Sequence, residues 1–333
     1  MAPLKTPHAA VLLTQDILDT ITSYQQGICA DLRPFVGAQN PSRELNNFLQ
    51  LVPWHEADRN LRGHPLASFH DIISPWYKNA GHSRLCKLLA CLPHIWEVVA
   101  AHAVCTGNLA VLTQLPTELL QSVPYSLTEL AAASGHINVV EYLVENSDEC
   151  TGEAMIKAAH YGHLNVVRFL HDRTGDDCAS AAIVFAASQG HHEVVRFLHT
   201  HRPNIRQLKL AMFIVARTNY VAIAAFVLDA LGKNRHFSVE VMDEAARHGQ
   251  LAMVQLLHQY KLRCSVVAID SAASNGHLDV VKWLHVHRTE GCTEMAMDGA
   301  AVHGHAEVVQ YLHANRQEGC STWTLRRAAE RGH

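Results

Sequence analysis

Small and apolar residues recur in a regular order from about residue 96 to the end of the chain. A pair of small residues such as Ala272-Ala273 precedes a glycine, and an apolar set such as Val280, Val281 and Leu284 follows it. Spacings of one, three and four residues describe one face of a helix. The pattern therefore predicts a first helix that carries the small pair, a second helix that carries the apolar set, and a tight connection between them.

The glycine between the two helices marks a repeat. It recurs, or is replaced in phase, at positions 107, 135, 162, 190, 218, 249, 276, 304 and 332, with steps of 27 or 28 residues and one step of 31. In six of these positions the glycine is followed by histidine. Glycine supplies the positive φ that ends a helix, and a period of this length indicates a stacked array. Because one hairpin cannot bury its own apolar face, the hairpins are expected to stack on one another.

The string Ala-Ala-x-x-Gly-His-Leu-x-Val-Val-x-x-Leu, seen from Ala272 to Leu284, resembles the core of the ankyrin repeat. The resemblance implies an all-α fold, a helical-hairpin solenoid over residues 96–333 with eight full repeats and a truncated ninth. An ordinary ankyrin repeat has 33 residues, and the second helix here already has its full apolar set. The missing residues are therefore expected in the connection between repeats, with the protruding hairpin finger shortened or absent. At the far end the chain stops at Gly332-His333, so the last helix is expected to fray or to expose apolar surface.

Residues 1–95 follow different rules, since eight of the eleven prolines lie before residue 94. We predict an irregular helical N-terminal module that caps the array or serves as its platform, with a possible degenerate repeat near residues 76–92 and long loops between residues 35 and 66. The segment Leu13–Ile21 is similar, over one helix, to the opening of an F-box. This leaves an alternative open, in which the chain is a substrate-recognition adaptor of a ubiquitin ligase.

The charged and metal-binding residue types do not change this picture. The net charge is −4, and no cluster of Lys and Arg predicts a nucleic-acid partner. About half of the 25 histidines occupy repeat positions, which would spread them along the array, whereas zinc ligands must converge on one point. No catalytic or phosphate-binding motif is present. We therefore predict no metal, no cofactor, no small-molecule substrate and no enzymatic activity.

The cysteines and the apolar segments indicate a cytoplasmic protein. Cys150, Cys178, Cys264, Cys292 and Cys320 recur at one repeat position, which would place them a stacking distance apart, too far for disulfides. They are expected to be small buried residues in a reducing compartment. There is no secretory signal, and no apolar stretch approaches the roughly 20 residues that span a membrane. The arginines that recur at the end of the second helix are expected to interact with the helix dipole.

The resemblance to ankyrin repeats also predicts where a partner would bind. In that family the two residues before the glycine lie on the concave surface. The candidate residues selected in this way are His160, Tyr161, Ser188, Gln189, Arg217, Arg247, His248, Ser274, Asn275 and His303. The extra residues of the 31-residue step are expected in the loop 232–238, and Phe237 in that loop is a further candidate; tolerated drift at a loop tip explains the insertion equally well. The function predicted is that of a monomeric, non-catalytic scaffold that binds a protein partner; the alternative is a solvated face without one.

Overall fold

The computed structural model of the chain describes residues 24–25, 28–29, 35, 66–81, 84–92, 95–146, 152–232 and 237–333. The chain divides into two compact units, residues 1–150 (unit 1) and 151–333 (unit 2). The domain boundary expected near residue 95 stays a prediction. The F-box-like segment and most of the expected long loops lie outside the described residues.

Unit 1 is mainly helical where it is described. Its helices are α1 (Ala67–Ala80), α2 (Leu85–Cys91), α3 (Trp96–Cys105), α4 (Leu109–Leu112), α5 (Thr117–Gln121), α6 (Leu127–Ser134) and α7 (Ile137–Asn146). Two short antiparallel strands, β1 (Tyr24–Gln25) and β2 (Ile28–Cys29), pair with each other. At Gly81, between α1 and α2, φ is 71° but ψ is 163°, so the region of the possible degenerate repeat differs from the left-handed helical turn of the other repeats.

Unit 2 consists of successive helical hairpins. The first helices are α8 (Gly152–His160), α10 (Asp176–Ser188), α12 (Ile205–Thr218), α14 (Glu240–Arg247), α16 (Val267–Ser274), α18 (Glu294–Val302) and α20 (Thr324–Glu330). The second helices are α9 (Leu164–His171), α11 (His192–His201), α13 (Val221–Leu231), α15 (Leu251–Gln259), α17 (Leu278–His287) and α19 (Ala306–Asn315). Successive first helices pack against one another. The described connections between hairpins contain no strand, and the predicted all-α repeat fold is confirmed.

The periodic apolar positions form the core of unit 2, as predicted. Ala272 and Ala273 of α16 are fully buried, and so are Val280, Val281 and Leu284 of α17. Because alanine ends at Cβ, the first helices can approach one another closely. The larger side chains of the second helices each contribute about 1.5–3 kcal/mol by leaving water.

The connection at the fifth of the nine positions corrects the predicted register. The left-handed residue there is Asn219, with φ 61°, rather than Thr218. Asparagine tolerates this conformation better than other residues with a side chain, apart from aspartate. The steps on either side are therefore 29 and 30 residues rather than 28 and 31, and one of the extra residues lies before Asn219, outside the loop 232–238. Ala216, two residues before Thr218, is fully buried, because it lies three residues before the actual left-handed residue.

The histidine of the Gly-His dipeptide connects neighbouring repeats. Its ring lies over the glycine of the preceding repeat, where an added Cβ would come within 2.4 to 2.7 Å of Nδ1. The pairs are Gly107 with His136, Gly162 with His191, Gly249 with His277, Gly276 with His305 and Gly304 with His333. The glycine is thus needed for the space above it as well as for its positive φ. At two of these contacts the histidine also donates from Nε2 to a carbonyl of the preceding repeat: His136 to Cys105 (2.8 Å) and His191 to His160 (2.9 Å).

Three buried aspartates form a second contact between repeats. The Asp243 carboxylate accepts bonds from the backbone N (2.9 Å) and Oγ (2.6 Å) of Ser265 at the start of the next repeat. Asp270 accepts the same two bonds from Thr293, each 2.8 Å long. Asp298 accepts from the backbone of Ser321 and from the hydroxyl of Thr324. Each carboxylate therefore fixes the start of the following first helix.

The recurring arginines and cysteines only partly match the predictions. Arg202 donates to the carbonyl of His171 (2.8 Å), which fits an arginine near the end of a helix. Arg288 instead pairs with Glu290 at 2.6 Å, and its Nη1 lies 3.3 Å from Nδ1 of His258. Cys264 is buried as expected, but Cys320 is exposed. In the last repeat α20 is helical, and Trp323 and Leu325 expose 46% and 80% of their surface, so the expected apolar exposure is present.

Candidate partner-binding face

One side of the first helices in unit 2 remains uncovered by the contacts described above. We define the first-helix face as the residues two, five and nine positions before the left-handed residue that ends each first helix of unit 2. Because these spacings are three and four residues, the positions share one face of each helix. The large apolar side chains exposed on it are Phe185, Leu210, Val267, Met295 and Trp323, each exposed by 42% or more.

The face is continuous from one repeat to the next. The residue two before the turn contacts the residue five before the turn of the following repeat in three places. The rings of His160 and Phe185 lie 6.0 Å apart, and Arg217 Nε lies 3.9 Å from Glu244 Oε2. A Cβ on Gly299 would lie 2.6 Å from Ser274 Oγ.

The centre of the face is a charged cluster. Glu244 lies between Arg217 (3.9 Å) and Arg247 (3.4 Å), and His248 Nε2 lies 3.4 Å from the same carboxylate. His248 Nε2 is also 3.3 Å from Arg217 Nε. Both arginine side chains are about half exposed, whereas Glu244 is 21% exposed. One carboxylate therefore faces two guanidinium groups, which leaves the cluster with a net positive charge.

Both arginines contact this cluster through Nε. Among the described residues, neither arginine donates a hydrogen bond from an Nη atom. A guanidinium has five N–H donors in a planar fork. The cluster therefore retains donors that a carboxylate can accept in pairs.

An aromatic group borders the charged cluster in the earlier repeats. The His160 ring lies 4.7 Å from the Tyr161 ring at a right angle, besides its contact with Phe185. Burial lowers the pKa of His160, and nearby Lys157 and His191 lower it further. Since an ordinary histidine already has a pKa near 6.5, this lowering keeps the His160 ring neutral at pH 7, and the ring contributes aromatic surface rather than charge to the face.

Every site residue predicted from the sequence is at least partly exposed. Gln189, Arg217, Arg247, His248, Asn275 and His303 are exposed, while His160, Tyr161, Ser188, Ser274 and Phe237 are half-buried. The structure brings Arg217, Arg247 and His248 together, and His160 with Tyr161. Most of the loop that precedes Phe237 lies outside the described residues.

The sequence prediction missed the residues five and nine positions before the turn, among them Phe185, Leu210 and Glu244. The signal was present, because these positions follow the same three- and four-residue spacing as the apolar core. The prediction used only the two residues adjacent to the glycine.

The described residues contain no group of three histidine, cysteine or acidic side chains placed to hold a metal ion. Burial raises the pKa of the Cys264 thiol to about 11, so it is protonated at neutral pH and is a poor nucleophile. Nor is any helix in the described ranges both long and apolar enough to cross a membrane.

These hairpins, with their glycine turns and stacked first helices, define a repeat protein with an open side-chain face. The family of ankyrin repeats that occur in many copies matches residues 129–171, 242–285 and 269–313. The hairpins within these ranges therefore match ankyrin repeats, and the resemblance predicted from the sequence is confirmed there. Proteins with such repeats generally bind other proteins through them. A sequence comparison with curated proteins returned no match.

Proposed function

We propose that this chain is a non-catalytic, monomeric scaffold that binds a protein partner through the first-helix face of unit 2. The observation that carries the proposal is the composition of this face. It exposes five large apolar side chains together with two half-exposed arginines whose terminal donors have no acceptor among the described residues. Aromatic residues and arginine are enriched where binding energy concentrates in protein interfaces.

The side chains that hold the repeats together are different from those that form the first-helix face, which supports the proposal. The Gly-His contacts and the buried aspartates satisfy polar groups within the array. The residues of the first-helix face vary among the repeats at the same structural positions. At the position five before the turn, for example, Phe185, Glu244 and Gly299 replace one another. Such variation changes the binding surface without changing the stack.

The proposal is tested by comparing two sets of proteins captured from an extract of the cells that express this chain. In the first variant Phe185, Arg217 and Arg247 are replaced by alanine. The control variant replaces one aromatic and two basic side chains of the second helices by alanine: Tyr311, Arg196 and Lys282. We expect the control to capture the same proteins as the unmodified chain and the first variant to lose them. Identical captures by all three baits would rule the proposed face out.

The proposal includes a cytoplasmic location. Seven of the described cysteines carry free thiols, which is usual in a reducing compartment. A fluorescent fusion of the full chain is expected to fill the cytoplasm, and accumulation in the secretory pathway would contradict this part.

A further inference from the structure

The charged cluster and the apolar side chains beside it indicate the chemistry of the partner that would bind the first-helix face. Glu244 lies near the Nε atoms of Arg217 and Arg247. The terminal N–H groups of both guanidinium groups are therefore not used by Glu244. Bidentate pairing through those donors is the strongest geometry that arginine offers to a carboxylate.

Two exposed apolar side chains share the first-helix face with Arg217. Leu210 precedes it by seven residues on α12, which corresponds to about 10 Å at 1.5 Å per residue. Phe185 belongs to the preceding repeat, and its helix, α10, packs against α12. Phe185 is 45% exposed and Leu210 is 50% exposed.

We propose that the partner presents an extended segment to this face, with an acidic side chain that accepts from the terminal donors of Arg217 and Arg247 and an apolar side chain on Phe185 and Leu210. An extended chain advances about 3.3–3.6 Å per residue, so the two side chains are separated by about three residues. This inference rests on the proposed function and specifies the chemistry of the partner.

The acidic neighbours of the arginines favour one carboxylate over a polyanion. Glu244 lies within the cluster, and Glu240, one turn earlier on α14, is exposed on the same face. Both carboxylates would repel a second negative group that approached along the helix. A single Asp or Glu in an otherwise uncharged segment therefore matches the face better than nucleic acid does.

The probe for this inference is a phage library of random peptides of about twelve residues, long enough to span roughly 40 Å when extended. The full-length protein is the bait. Three further baits are the variants Arg217→Ala and Arg247→Ala and the matched control Arg206→Ala, which removes the same charge from the other end of α12. Thermal melts of all four proteins establish that each is folded.

We expect the unmodified protein and Arg206→Ala to enrich peptides with an acidic residue about three positions from an apolar one. Both face variants should lose the enrichment of acidic residues and keep that of apolar residues. In solution, replacing the acidic residue of an enriched peptide with its amide should weaken binding about tenfold.

Enrichment of apolar peptides without an acidic preference, equal enrichment by all baits, or no enrichment at all would each overturn the inference. The proposed function is judged separately by the capture experiment. It would survive if natural partners still required the first-helix face although the peptides showed no acidic preference.

Discussion

Two neighbouring carboxylates in unit 2 have opposite environments. Asp243 is 7% exposed and accepts two hydrogen bonds from Ser265 of the next repeat. Glu244, the next residue along α14, lies on the first-helix face between two half-exposed arginines. Aspartate recurs at the first position in later repeats, as Asp270 and Asp298, whereas the second position holds a different residue in each repeat. The difference shows that recurring residues hold the array together and varying residues form its surface.

The largest effect is expected from Asp243→Ala. This change leaves the backbone N and the hydroxyl of Ser265 without their acceptor, and each lost bond to a charged group costs about 1.5–3 kcal/mol. We expect the free energy of unfolding of the full chain to fall by about 3–4 kcal/mol, measured by urea denaturation.

The control for this prediction is Asp279→Ala, which removes an exposed aspartate whose carboxylate accepts a bond from the adjacent Val280 N. It should cost little. A loss of equal size in both variants would mean that Asp243 stabilises the chain only through its charge.

The next largest effect is expected from Gly276→Ala. Gly276 has φ 79°, and an added Cβ would lie 2.7 Å from Nδ1 of His305. Left-handed backbone costs a residue with a side chain about 1–2 kcal/mol, and displacement of the ring adds to this, so we expect a loss of about 2–3 kcal/mol.

Gly319→Ala separates these two costs, because Gly319 has φ 74° and no atom within 4 Å of an added Cβ. Urea denaturation should show a loss of only about 1–2 kcal/mol for this variant. If Gly276→Ala were no worse than Gly319→Ala, the histidine ring would not be a contact between repeats.

The hairpins could be predicted because glycine, the alanine pair and the valine-leucine set repeat in the sequence. The role of the histidine could not, since its ring contacts a glycine that lies 28 or 29 residues earlier. The register at Asn219 was also missed, because the sequence aligns Thr218 with the glycines, and only the backbone shows which residue is left-handed. On the first-helix face, exposure of Arg217 could be predicted from spacing, but its approach to Glu244 depends on how two first helices pack.

Unit 1 extends the comparison to a contact that is not repeated. His102 is 2% exposed, and its Nε2 lies 3.0 Å from Nδ1 of His70. Burial, reinforced by His70, lowers the pKa of His102 to about 3. Between pH 6.5 and 3 the unfolded chain therefore binds a proton that the folded chain excludes, so stability falls as the pH falls.

At pH 5 the loss from His102 relative to pH 7 is about 2 kcal/mol. Urea denaturation at both pH values should show a smaller loss for His102→Gln, which cannot titrate, than for the unmodified chain. An unchanged pH dependence in the variant would show that other groups cause it.

The smallest effect on stability is expected from Glu244→Ala. Its ion pairs join half-exposed arginines at 3.4 and 3.9 Å, and pairs of this kind contribute about 0.2–1 kcal/mol. We therefore expect urea denaturation to show a loss below about 1 kcal/mol, several times smaller than for Asp243→Ala one residue away. A loss as large as that of Asp243→Ala would place Glu244 among the residues that hold the repeats together. The distinction between recurring and varying positions would then fail at the centre of the proposed binding face.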